Sequence, residues 1–187
     1  LILEPYAGLV FDFTPGQSTS LSGAQNGGVF LGMITVGLLG TALRIGSLRG
    51  WIVAGCLGSA AAQAVIAAIG PMGPGAPLVP AVVAMGFFNG MFAVAAIGAM
   101  MALAGEGRAK REGTRMGLWG AAQAIAAGFG GLLGAAAVDA LRTVLADAPA
   151  FGAVFLAEAA LFLAAALMAF RMMSQSHAPG GALVPGE

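Results

Sequence analysis

Five stretches of this chain, about 20–43, 51–70, 78–104, 114–140 and 150–172, are long and apolar enough to cross the hydrocarbon of a bilayer as helices. That constrains the fold more than any other feature. A segment in lipid finds no water for its backbone groups, so it closes its own hydrogen bonds as a helix or joins a closed barrel. The length of the stretches selects the helix, because a membrane strand needs only about 10 residues. Composition agrees. The chain is 59% apolar and 9% charged, whereas a soluble domain carries about 25% charged residues. Too little polar surface is left to cover a soluble core. The expected fold class is all-α, a polytopic membrane helix bundle over residues 1–173 with a polar tail over 174–187. Residues 1–11 read as the end of a further span. The chain opens in mid-pattern, so it is expected to be the later part of a longer membrane protein.

The linkers are short and of two kinds. RIGSLRG (44–50) and EGRAKREGTR (106–115) are basic, while GPMGPGAP (70–77) and the stretch around DAPA (147–150) are not. Successive linkers alternate sides. One side then collects Arg44, Arg49, Arg108, Lys110, Arg111, Arg115 and Arg171, and the other has Arg142. Positive-inside bias assigns the first set to the cytoplasm, and with it the C-terminal tail. His177 in that tail is expected to be a solvated histidine rather than a ligand. The formal net charge is zero, so no basic footprint points to nucleic acid. Cys56 is the one cysteine, which excludes a disulfide within the chain and a Cys-x-x-Cys metal site. It is expected to be a buried, inert thiol.

In the fourth stretch Gly117, Ala121, Ala124, Gly128, Gly131 and Ala135 recur every three or four residues and share one helix face. Such a face suits close packing of another helix or of a flat ligand. Gly86 and Gly90 form a second, weaker pair. Polar residues inside the spans stand out against this background. Glu158 lies near the middle of the last span, where an acidic side chain costs about 2.5–3.5 kcal/mol on insertion scales. It is expected to face the bundle interior, either neutral or hydrogen-bonded. Asn89 is similarly central, and Gln123 lies well inside its helix; Gln63, Gln25 and Asn26 lie nearer span ends. For each amide an interhelical hydrogen bond is the simpler role and a ligand contact the sharper one. Asp139 and Arg142 read as interfacial.

The stretches ILEPYAGLVF, TPGQSTSLSGAQNGGVFLGM, RGWIVAG, FFNGMFAVAAIGAMMALA and REGTRMGLWGAAQAIAAGFGGLLGAAAVD together resemble the later half of the PucC/LhaA family. That family is the bacteriochlorophyll-delivery branch of the major facilitator superfamily. The likeness runs from residue 2 to about residue 170. Its most specific parts are LEPY with the turn that follows, Ser-Thr-Ser-Leu at 18–21, and REGTRMGLWGAAQA. Ala7 stands where the family usually has Gly, and Asp12 where an apolar residue or Gly is common.

The resemblance implies a twelve-helix fold of two halves, of which this chain holds about the last five helices and the end of the one before. It implies a light-harvesting assembly factor, not an enzyme, that handles bacteriochlorophyll and delivers it to antenna polypeptides around the reaction centre. The implied location is the bacterial inner, intracytoplasmic photosynthetic membrane. A chlorin offers a central magnesium that accepts an oxygen ligand, carbonyls that accept hydrogen bonds, and a broad apolar face. Glu4, and also Glu158, Asn89 or Gln123, are candidates for the ligand, and Tyr6 for a donor to a carbonyl. Glu4 reads equally as a buried acid paired with a base elsewhere in the protein. A proton-coupled transporter using Glu158 and a pigment-free scaffold that packs against antenna helices remain alternatives.

Overall fold

The computed structural model describes residues 2–43, 45–105 and 112–175. Arg44, Arg108, Lys110, Arg111, His177 and the rest of the tail beyond 175 lie outside the described residues. The described residues form α1 (Leu3–Phe11), α2 (Pro15–Val36, continued by a π-helical segment Gly37–Ala42), α3 (Leu48–Ile69), α4 (Leu78–Gly105), α5 (Glu112–Arg142) and α6 (Asp147–Gln175). No strand occurs among them. Four helical stretches are long and apolar enough to cross a membrane, Leu48–Met72, Leu78–Ala102, Met116–Arg142 and Asp147–Arg171. The protein is an all-α, multi-pass membrane helix bundle. The helix over 15–42 lies outside that set because its first half carries Gln17, Ser18, Thr19, Ser20, Ser22, Gln25 and Asn26.

Local chemistry sets the first helix boundary. The backbone of Asp12 is left-handed at φ 57°, and the N–H of Phe13 returns to the carbonyl of Ala7 at 3.1 Å, a closure that ends α1. Thr14 then caps α2. Its N–H donates to Oε1 of Gln17 at 2.8 Å, and its Oγ1 accepts from the N–H of Gln17 at 3.4 Å, a reciprocal capping box, with Pro15 at the first helical position. Ser18–Leu21, expected as a turn, is therefore already helical, and the turn is confined to 12–14. The hydroxyls of Thr19 and Ser20 donate to the carbonyls of Pro15 and Gly16, which satisfies them within the helix.

Glycines decide which helices lie in close contact. A Cβ at Gly28 or Gly32 would overlap the carbonyl of Val83 or Phe87, and a Cβ at Gly86 or Gly90 would overlap that of Gln25 or Val29. The α2 and α4 backbones thus meet through two interlocked Gly-x-x-x-Gly pairs, the arrangement small residues permit in lipid. The Gly86/Gly90 pair, the weaker of the two signals in the sequence, carries this contact. On the other side of α4, Gly55 of α3 faces the backbone of Phe92, where a Cβ would come within 2.7 Å of its nitrogen. The helices α4 and α6 pack on either side of α3, while α5 makes only light contact with α4 and α6.

Two apolar clusters fill the bundle. One gathers Tyr6, Phe11, Leu21, Ile66, Leu78, Val82, Phe151 and Phe155; the other gathers Val36, Ile52, Cys56, Met91, Ala95 and Ala166. Cys56 is buried, as expected. At the end of the second cluster the Arg49 guanidinium stacks over the Phe170 ring, 4.3 Å from its centroid, and Nη2 donates to the Phe170 carbonyl at 2.9 Å. This contact joins α3 to α6 through the attraction of the cation to the ring face and one hydrogen bond.

Adding one methyl tests the glycine contact. We expect Gly32→Ala to destabilise the bundle by about 1–3 kcal/mol, because the α2 and α4 backbones have to separate. At Gly128 a Cβ has nothing within 4 Å, so Gly128→Ala should melt no lower than the parent in detergent. Equal melting temperatures for both variants would contradict the packing described.

Candidate functional site

On α3, Ser59 and Gln63 are four residues apart and so share one face; both are buried, at 0% and 4% exposure. They lie along α3 between Cys56 of one apolar cluster and Ile66 of the other. The neighbouring helices answer this pair with polar groups of their own. The Ser59 hydroxyl donates to Oδ1 of Asn89 on α4 at 2.8 Å. The Gln63 amide donates from Nε2 to Oε2 of Glu158 on α6 at 2.7 Å. A polar layer therefore crosses the middle of the bundle and ties three helices in register. Each such bond in a membrane interior contributes on the order of 1 kcal/mol.

The layer is not closed. Oε1 of Gln63 is buried and has no partner among the described residues. Glu158 is half-buried; only its Oε2 is engaged there. Its Oε1 lies on the side of Gly134 of α5, where a Cβ would come within 4.0 Å of that oxygen and 3.8 Å of Ile2. Glu158 also lines an open cleft of about 280 Å³ with Phe92, Leu161, Phe162 and Ala165. The rings of Phe92 and Phe162 meet edge to face there, with centroids 6.3 Å apart. The cleft is a hydrocarbon surface with a carboxyl at its edge.

The other expected residues lie elsewhere. Glu4 is exposed and accepts a hydrogen bond from the Ser22 hydroxyl at 2.8 Å, linking α1 to α2. Gln123 is exposed on α5. The Tyr6 phenol is fully buried, and its O–H donates to the carbonyl of Ile66 at 2.7 Å. Its ring packs against Phe11, Phe151 and Phe155 at centroid distances of 5.2, 5.3 and 5.0 Å. The donor expected to be offered to a ligand is thus committed inside the chain, and Tyr6 pins α1 to α3 and α6. Gly70 makes room for it, since a Cβ there would stand 2.7 Å from the phenol oxygen.

Gly117, Ala121, Ala124 and Gly128 are exposed on α5, and Gly131 is half-buried. No described helix covers Gly117 or Gly128. Arg142, read as interfacial, pairs through Nε with Oδ1 of Asp147 at 2.6 Å, closing the α5–α6 connection. Asn89 and Glu158 are thus the two expected residues that the fold brings to one layer. Ser59 and the interior position of Gln63 were missed in the sequence. Their spacing of four, in phase with Cys56 and Ile66, was the available signal.

Fold and interior together define a class: a multi-pass helical membrane protein crossed at mid-bundle by a polar layer of a hydroxyl, two amides and a half-buried carboxyl. The family model described as PUCC protein matches residues 1–177, and the chain belongs to that family. It is 68% identical over 186 residues to the "Bacteriochlorophyll synthase 44.5 kDa chain" of Rhodobacter capsulatus, a match covering 99% of this chain and 42% of that one. It is 29% identical over 143 residues to "Protein PucC" of Rhodovulum sulfidophilum, covering 76% of this chain and 30% of the relative. The chain thus spans less than half the length of either relative. No solved structure matches.

Tyr6→Phe keeps the ring contacts and removes the bond to the Ile66 carbonyl. We expect a loss of about 1–2 kcal/mol, read as a lower melting temperature of the detergent-solubilised protein. Unchanged stability would show that the phenol is not the pin described.

Proposed function

We propose that the protein is a light-harvesting complex assembly factor that handles bacteriochlorophyll in the photosynthetic membrane and passes it to antenna polypeptides around the reaction centre. The observation that carries this reading is a half-buried carboxyl, Glu158, beside an apolar cleft open at the bundle surface, in a chain closely related to a protein named for bacteriochlorophyll synthesis. An apolar, ring-lined cleft with one oxygen donor suits a flat, largely apolar cargo with a polar centre. In this reading the protein holds and presents pigment without making or breaking its bonds.

Further parts of the proposal rest on charge and on exposed surface. The basic linkers support a cytoplasmic C-terminus in a bacterial inner membrane. The α5 face of Gly117, Ala121, Ala124 and Gly128, which no described helix covers, is where another helix or a flat ligand packs. Glu4, Asn89 and Gln123 are weaker pigment contacts than Glu158: Glu4 and Asn89 already accept bonds within the chain, and Gln123 stands apart on α5.

A second reading is favoured by the name of the Rhodobacter capsulatus relative: the protein is a subunit of a bacteriochlorophyll-synthesising assembly. One experiment separates the two. The gene is deleted in a pigment-producing bacterium, and bacteriochlorophyll is measured separately from assembled antenna. We expect antenna absorption to fall several-fold while pigment synthesis continues. The full-length protein, purified in mild detergent, should carry bacteriochlorophyll. Loss of pigment synthesis itself would support the second reading, and normal antenna assembly would contradict both.

A further inference from the structure

Glu158 and Gln63 form an asymmetric pair. The amide of Gln63 holds one carboxyl oxygen, Oε2, at 2.7 Å, and Gln63 is itself fixed within α3 at 4% exposure. The second oxygen, Oε1, has no hydrogen-bond partner among the described residues and lies on the side of Gly134 of α5, in a side chain that is half-buried. A carboxyl anchored through one oxygen presents the other in a fixed direction, as residues behind a metal ligand commonly do. The Glu158 side chain borders a cleft together with Phe92 and Phe162 from two different helices, and with Leu161 and Ala165.

We propose that Gln63 is a positioning residue that aims Oε1 of Glu158 at the magnesium of a tetrapyrrole lying against the Phe92–Phe162 cleft. This rests on the pigment-handling reading and adds to it the point of attachment and the residue that orients it. Magnesium prefers oxygen donors, and a single oxygen fits a metal whose other ligands come from the macrocycle. The apolar rings suit the macrocycle face. A cleft of about 280 Å³ falls just below the roughly 300–1,000 Å³ typical of ligand pockets, so it seats part of the ring and leaves the rest in lipid. That is the geometry of a carrier that has to release its cargo sideways.

The test uses the full-length protein in detergent, titrated with bacteriochlorophyll a and separately with bacteriopheophytin a, its metal-free counterpart. The parent should bind the magnesium pigment at least about 10-fold more tightly, with the resonance Raman signature of a five-coordinate metal. Gln63→Leu should weaken the magnesium pigment by about 10-fold and leave the metal-free one unchanged. Glu158→Leu should abolish the preference, and Glu158→Gln, which keeps an oxygen donor, should retain part of it. Gly134→Leu provides a variant that leaves the pair intact. A Cβ is accommodated there, and the longer side chain should cover Oε1 and lower the preference. Equal binding of both pigments by the parent, or a Gln63→Leu variant that weakens both alike, would overturn the proposal while leaving pigment handling in place. Binding of neither pigment would overturn both.

Discussion

Two hydrogen bonds at mid-depth, Ser59 to Asn89 and Gln63 to Glu158, organise this bundle. Apolar packing in lipid says little about rotation or register, because one hydrocarbon surface fits another nearly as well as it fits the lipid tails. A polar group facing lipid is costly, so these bonds select the rotation of α4 and α6 that turns Asn89 and Glu158 toward α3. The apolar clusters above and below then close around a layer whose position is already set. A carboxyl comes with the layer, which makes a structural device available for chemistry.

Close backbone approach supplies what the polar layer does not. Through Gly28, Gly32, Gly86 and Gly90, α2 and α4 meet backbone to backbone, a contact that gains from dispersion and needs no solvent-driven term. Tyr6 does the corresponding work at the other end, where its phenol satisfies a carbonyl in the last turns of α3 and its ring fills the space between α1 and α6. The helix α5 shares neither device within the described residues, and its small-residue face stays open. The relatives continue well beyond the length of this chain, which is consistent with a face that meets another surface.

Much of the fold was legible because lipid leaves few choices. Long apolar runs interrupted by Gly, Pro and basic linkers have no stable alternative to helices, so the class could be read before any geometry. The partners of each helix were harder to read. Gly117–Gly131 had the most regular small-residue spacing, yet the contacts formed at the less regular Gly28/Gly32 and Gly86/Gly90, because small residues permit approach without naming the neighbour. The polar layer was half legible. Glu158 stood out by its insertion cost, and Asn89 by its depth. Tyr6 suggested a donor to a ligand, but a phenol's partner depends on where the chain folds back, and here that is Ile66. Ser59 drew no notice because a hydroxyl can bond within its own helix, as Thr19, Ser20 and Thr35 do.

Glu158 has one oxygen held by Gln63 and one without a partner among the described residues, and the proposed pigment contact depends on that difference. The most direct measurement is an experimental structure of the full-length protein loaded with bacteriochlorophyll. We expect a tetrapyrrole against Phe92 and Phe162, with its metal bound to a Glu158 oxygen and the other oxygen still bonded to Gln63. A pigment bound elsewhere, or a Glu158 whose two oxygens are both enclosed by protein partners, would contradict it.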